Sequence, residues 1–156
     1  MKRPYFLISG AWLIHAISWF LPAVQESLFS SRVPGWAAFL FSAASLVPDS
    51  GKSFDVSFRT LLLAGSVLST VLFVLASPWI VWRGSRRVLF ASAWAAAAAF
   101  LVNVQWFVVS LSEKPGVGIG YFLWWCSFAL LAIGLFDLAR QTEHVSSAPQ
   151  QRLSNI

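Results

Sequence analysis

Four long runs of this chain carry almost no charge: Tyr5 to Pro22, Thr60 to Trp82, Val88 to Leu111 and Val117 to Leu138. Asp137, near the end of the last run, is the one Asp, Glu, Lys or Arg among them. A helix that crosses a hydrocarbon layer about 30 Å thick needs about 20 mostly apolar residues, each rising about 1.5 Å. Each run meets that requirement. Backbone amides cannot stay unpaired in lipid, so a spanning segment is a helix or a barrel strand. Barrel strands alternate polar and apolar residues over about ten positions. These runs are continuously apolar, which points to helices. Composition agrees, with 58% hydrophobic and 11% charged residues against about 25% charged in average soluble chains. A soluble domain of 156 residues could not hide so much apolar surface. Disorder, collagen and disulfide scaffolds are excluded by the same figures.

A fifth apolar stretch, Val33 to Val47, has 15 residues and would reach only about 22 Å as a helix. Pro34 suits a first helical position. Trp36, Leu40, Ala43 and Val47 then share one face, and Ala38, Ser42, Ser45 and Asp49 another. This segment, about 34–47, is expected to lie at the membrane surface, to re-enter the bundle, or to fill its core. Seven basic residues (Lys2, Arg3, Arg83, Arg86, Arg87, Arg140 and Arg152) fall on one side of the four runs. Arg32, Lys52, Arg59 and Lys114 fall on the other, offset by Glu26, Asp49, Asp55 and Glu113. The richer side should be cytoplasmic. The expected fold is therefore an all-α membrane protein. It is an up-down four-helix transmembrane bundle, with an extra short interfacial or re-entrant helix in the first extracytoplasmic loop. Residues 1–140 form the transmembrane domain, and 141–156 a polar, loosely ordered cytoplasmic tail. The N-terminus has the charge pattern of a signal peptide, but Leu21-Pro22-Ala23 lacks the small first residue of a cleavage site. An uncleaved first span is expected, in a multi-pass protein of the cell inner membrane with both termini cytoplasmic.

Small residues mark expected helix contacts. Ala91, Ala95 and Ala99 recur every four residues with Asn103 continuing the row, and Gly65 and Ser69 form a similar notch. The link Gly84-Ser85 should make its flanking helices antiparallel neighbours. Gly116, Gly118 and Gly120 read as a loosened helix start, and Pro78 as a kink. Trp79 and Trp82 would belong to an inner aromatic belt, Trp19 and Trp106 to an outer one. Asp137 is expected to pair with Arg140 or with the inner arginine cluster.

The chemistry-bearing inventory is sparse. One cysteine, Cys126, excludes an intrachain disulfide or CxxC pair. Two histidines, His15 and His144, fall in mid-membrane and in the tail, so neither a zinc set nor a pair of haem ligands assembles. Ser50-Gly51-Lys52-Ser53 ends like a phosphate loop, but Leu46 stands where the motif needs glycine, and the segment reads as a turn. No mid-span carboxylate suggests proton coupling. The net charge of +5 is explained by orientation and anionic headgroups rather than nucleic acid. No catalytic, cofactor-binding or metal-binding residues are expected. His15 is the residue to follow, because an ionisable group in mid-membrane is costly. One reading makes it part of a functional polar cluster with Ser18, Asn103 and Gln105; the plainer one is an interhelical hydrogen bond. Trp124 and Trp125 are candidate ligand-stacking residues, packing being the plainer alternative. The expected role is that of a non-catalytic partner-binding or accessory component. The partners would be membrane lipids and another membrane protein or a second copy. The alternative is a small-molecule or lipid-binding carrier built around His15.

Overall fold

A computed structural model describes residues 3–25, 32–47, 58–112 and 116–153. In chain order they form α1 (Arg3–Phe20), β1 (Pro22–Gln25), β2 (Arg32–Pro34), α2 (Gly35–Ala44), α3 (Phe58–Arg83), α4 (Arg86–Asn103), α5 (Gln105–Ser112), β3 (Gly116–Val117) and α6 (Ile119–Leu153). The protein is mostly helical. Among the described residues, three stretches are long and apolar enough to cross a membrane: Thr60–Arg83, Arg86–Val108 and Ile119–Thr142. The second runs across the α4–α5 junction at Val104, whose N–H turns back to the Leu101 carbonyl. Helix α1 covers the first apolar run but is not among the three; its 18 residues include Arg3, Pro4 and His15. The Ser50–Ser53 turn and Asp49 lie outside the described residues.

Helix α6 carries the centre of the core. Phe128, Leu131, Ala132 and Leu135 bury themselves against Ile8 and Ala11 of α1, Phe73 of α3, and Leu89, Ala93 and Ala96 of α4. Its antiparallel run along α1 is marked by three meetings. Arg3 pairs with Asp137 at 3.5 Å, Ile8 lies over Gly134, and His15 meets Ser127. A Cβ on Gly134 would stand 2.7 Å from Ile8 Cγ1, so glycine permits this close approach. Along α4, Phe136 meets Phe90, and Trp125 stacks on Phe100 at 4.5 Å. Ser66 of α3 meets Asn103 at the far end of α4, so α3 and α4 are antiparallel across the tight Gly84-Ser85 link. Many outward residues are large and apolar, among them Phe6, Leu13, Leu61, Leu75, Trp94 and Leu101.

Several sequence expectations need correction. The fold is not purely α-helical, because β1 pairs antiparallel with both β2 and β3 in a small sheet. Val24 faces Val33 on one side and Val117 on the other. These strands are too short to show a two-residue period, and their pairing joins segments far apart in sequence. The glycines near residue 118 do more than loosen a helix start. Gly118 donates to the Ala23 carbonyl at 2.8 Å, and a Cβ there would fall 2.2 Å from the Pro22 carbonyl oxygen. Asp137 pairs with Arg3 rather than Arg140. On α4 the buried row is Leu89, Ala93, Ala96 and Asn103; Ala91 and Ala95 are exposed. In this alanine-rich stretch hydropathy gives no contrast between faces. Helix α6 runs on to Leu153.

Candidate functional site

His15 sits on the inward face of α1 with 3% of its surface exposed. Its ring stacks on Phe73 at 4.1 Å and meets the edge of Phe128. Nδ1 lies 2.9 Å from Ser127 Oγ. Ser127 has one hydroxyl proton, which it donates to the Trp124 carbonyl at 2.6 Å. It must therefore accept from His15, which assigns the imidazole proton to Nδ1 on the logic of the hydrogen-bond network. Nε2 is left as a bare acceptor, buried and without a partner among the described residues. Ser18 does not join the ring; it donates to the His15 backbone carbonyl at 2.6 Å.

Asn103 organises a second polar knot, at the end of α4. Its Oδ1 accepts from Ser66, and its Nδ2 donates to Ser69 Oγ at 3.2 Å and to the Ala99 carbonyl at 2.8 Å. The Tyr121 hydroxyl donates to its backbone carbonyl. The proposed grouping of His15, Ser18, Asn103 and Gln105 thus divides. His15 and Ser18 belong to the α1–α6 contact, Asn103 to the α3–α4 contact. Among the described residues no hydrogen bond brings Gln105 to either, and its buried Nε2 finds no partner there.

Three tryptophans connect these knots to α3. Trp106 of α5 donates to Ser66 at 3.0 Å, Trp124 of α6 to Thr70 at 3.3 Å, and Trp12 of α1 to Ser77 at 2.9 Å. Ser66, Thr70 and Ser77 follow helical spacing on the inward face of α3, and all three are buried. Each passes its own proton on, to Asn103, the Ser66 carbonyl and the Phe73 carbonyl respectively. This ladder is structural rather than proton-conducting, because an indole N–H is a donor only. Sequence reasoning passed over Ser66, Thr70, Ser77 and Ser127. Their spacing was a readable signal, but serine is common enough in membrane helices that it did not single them out.

Two cavities flank the ladder. The larger, about 680 Å³, lies among α1, α2, α3, α5, α6 and the sheet. Trp19, Phe39, Trp106, Tyr121 and Trp124 line it, with Ser18, Ser66 and Thr70 supplying hydroxyls. The smaller, about 300 Å³, is lined by Trp12, His15, Ala16, Trp19, Phe20, Phe73, Val74 and Pro78. Trp19 lines both, and its ring stacks on Phe39 of α2. The candidate stacking pair separates here. Trp124 lines the large chamber, whereas Trp125 donates to the Phe100 carbonyl at 2.7 Å and packs against that ring. Trp79 and Trp82 are exposed, with the Arg83 guanidinium 4.6 and 5.0 Å from their ring centres. Among the described residues no three metal-ligating side chains gather. No protein-family model, curated protein or solved structure matches the chain.

Proposed function

We propose that this is a multi-pass protein of the bacterial inner membrane, with four crossings and cytoplasmic termini, that holds a neutral lipid-soluble molecule without catalysing a reaction. Helix α1 supplies the fourth crossing beside α6, in an up-down bundle. Helix α2, about 15 Å long, lies in the outer interface or re-enters there. The observation that carries this reading is the character of the large chamber. Its volume suits a small ligand, aromatic rings dominate its wall, and among the described residues no charged side chain lines it. The Ser66 and Thr70 hydroxyls on that wall already donate and accept. Such a wall favours apolar surface over an ion.

Native mass spectrometry from mild detergent tests this. Wild-type protein should retain a bound lipid-soluble mass, and Ala38→Trp, which fills the chamber from α2, should lose most of it. Wild type free of any bound mass, or retention undiminished in the filled variant, would overturn the reading.

A second reading keeps the protein as an accessory component that docks another membrane protein. It draws on Trp36 and Leu40 of α2, which are exposed. A photo-crosslinker at Trp36 that yields only lipid adducts in native membranes would count against it.

A further inference from the structure

The turn between α3 and α4 gathers positive charge that the fold does not neutralise. Arg83 ends α3, Arg86 and Arg87 open α4, and Gly84 and Ser85 alone separate them. Three Cα steps put Arg86 within about 11 Å of Arg83, and all three arginines are exposed. Asp137 is already engaged with Arg3. Neither Arg83 nor Arg87 has an ion pair or hydrogen bond from its side chain among the described residues. The first turn of α4 holds no acidic residue. That reverses the usual preference, because the amino end of a helix is partially positive and favours anions. Two cations there raise the energy of α4 until an anion joins them.

Arg83 is also held in place. Its guanidinium lies 4.6 Å from the Trp79 ring centre and 5.0 Å from that of Trp82, and the two rings meet edge to face at 6.3 Å. A cation–π contact of this kind leaves the planar N–H fork open to an acceptor. Both indoles are themselves exposed, as is Val88 at the start of α4. The turn thus presents a braced cation, a second charge beside it and an apolar flank.

We infer that the α3–α4 turn is a binding site for the phosphate of an anionic phospholipid. The Arg83 fork takes two phosphate oxygens, and Arg86 and Arg87 supply the charge beside it. The exposed faces of Trp79, Trp82 and Val88 meet the acyl chains, which favours a lipid over a soluble phosphate. A zwitterionic headgroup brings its own cation to this cluster and fits it less well. The site rests on the part of the proposed function that takes α3 and α4 across the membrane; it does not depend on what fills the larger chamber.

The test titrates the full chain in mild detergent with dioleoyl phosphatidylglycerol and dioleoyl phosphatidylcholine, and counts the adducts by native mass spectrometry. The anionic lipid should bind at least about fivefold tighter, the worth of one surface arginine. Arg83→Gln should remove most of that preference. Trp82→Leu keeps every charge but loosens the brace on Arg83, and should weaken the preference too, which a diffuse positive potential would not. Arg32→Gln removes the same charge near the opposite end of α6 and should leave the preference intact. Inorganic phosphate in excess should not displace the lipid. Ala38→Trp should not change the adduct; an adduct lost there sits in the larger chamber, which would overturn this inference while sparing the chamber. Equal binding of the two lipids, a preference that survives Arg83→Gln, equal losses in Arg83→Gln and Arg32→Gln, or displacement by phosphate would each overturn it as well.

Discussion

Trp12 of α1 donates its indole N–H to Ser77 of α3 across 2.9 Å, and two further tryptophans, from α5 and α6, repeat that bond along the same face of α3. Lipid is as apolar as leucine, so burial alone does little to hold membrane helices together. Large rings fill the space between α3 and its partners α1 and α6, which leaves cavities on both sides of the ladder. The indole bonds then hold α3 in place. Each of Trp12→Phe, Trp106→Phe and Trp124→Phe should cost about 0.6 kcal/mol, the average for such bonds in membrane bundles. Reversible unfolding in bicelles measures this. Near-additivity is expected between Trp12→Phe and Trp106→Phe, which share no partner.

Asn103 should be the most sensitive polar position. It is fully buried and serves Ser66, Ser69 and the Ala99 carbonyl at once. Asn103→Leu leaves the Ser66 hydroxyl searching for an acceptor and should destabilise by about 2 kcal/mol, within the cost of an unsatisfied buried group. Ser66→Ala alone should cost less. A double-mutant cycle over the pair should return a coupling of about 1 kcal/mol; a coupling of zero would remove Asn103 from its central place.

Gly134 makes a steric prediction. Gly134→Val drives a side chain into Ile8 at the α1–α6 contact, and overpacking of this kind costs about 1–3 kcal/mol. Ile8→Ala in the same chain should recover part of the loss by removing the struck atom. Melting curves of the single and double variants give the comparison, and a double variant no better than Gly134→Val would refute the contact.

The helices were legible because hydrocarbon imposes a long, uncharged run that no other feature mimics. Helix rotation was less so. His15 stands near the middle of the first apolar run, but its partner Ser127 depends on how α1 and α6 turn toward each other. Asn103 was found as the end of an alanine row, yet the row that faces the core runs through Ala93 and Ala96 rather than Ala91 and Ala95. Hydropathy cannot separate two faces that are both alanine. The sheet was illegible for another reason. Val24 finds Val33 and Val117 only after the helices have brought the loops together, and strands of two to four residues leave no local period.

The four-crossing topology makes its own claim on α1. Among the described residues three helices qualify as spans by length and apolarity, and if they cross, they alone put Ser45 and Ser85 on opposite sides of the membrane. If α1 also crosses, Arg3 must share a side with Ser85, as its pairing with Asp137 near the end of the apolar Ile119–Thr142 stretch requires. Both Ser45 and Ser85 are exposed, as is Arg3, so single cysteines at these positions can report by reaction with an impermeant maleimide. In a Cys126→Ala background, Ser45→Cys should react in intact spheroplasts. Ser85→Cys and Arg3→Cys should react only after the membrane is permeabilised. The Arg3–Asp137 pair is mostly exposed on the arginine side, so losing it should cost no more than a surface ion pair and leave the fold intact. Arg3→Cys reacting from outside, together with Ser45→Cys, would take α1 out of the membrane and reduce the bundle to three crossings.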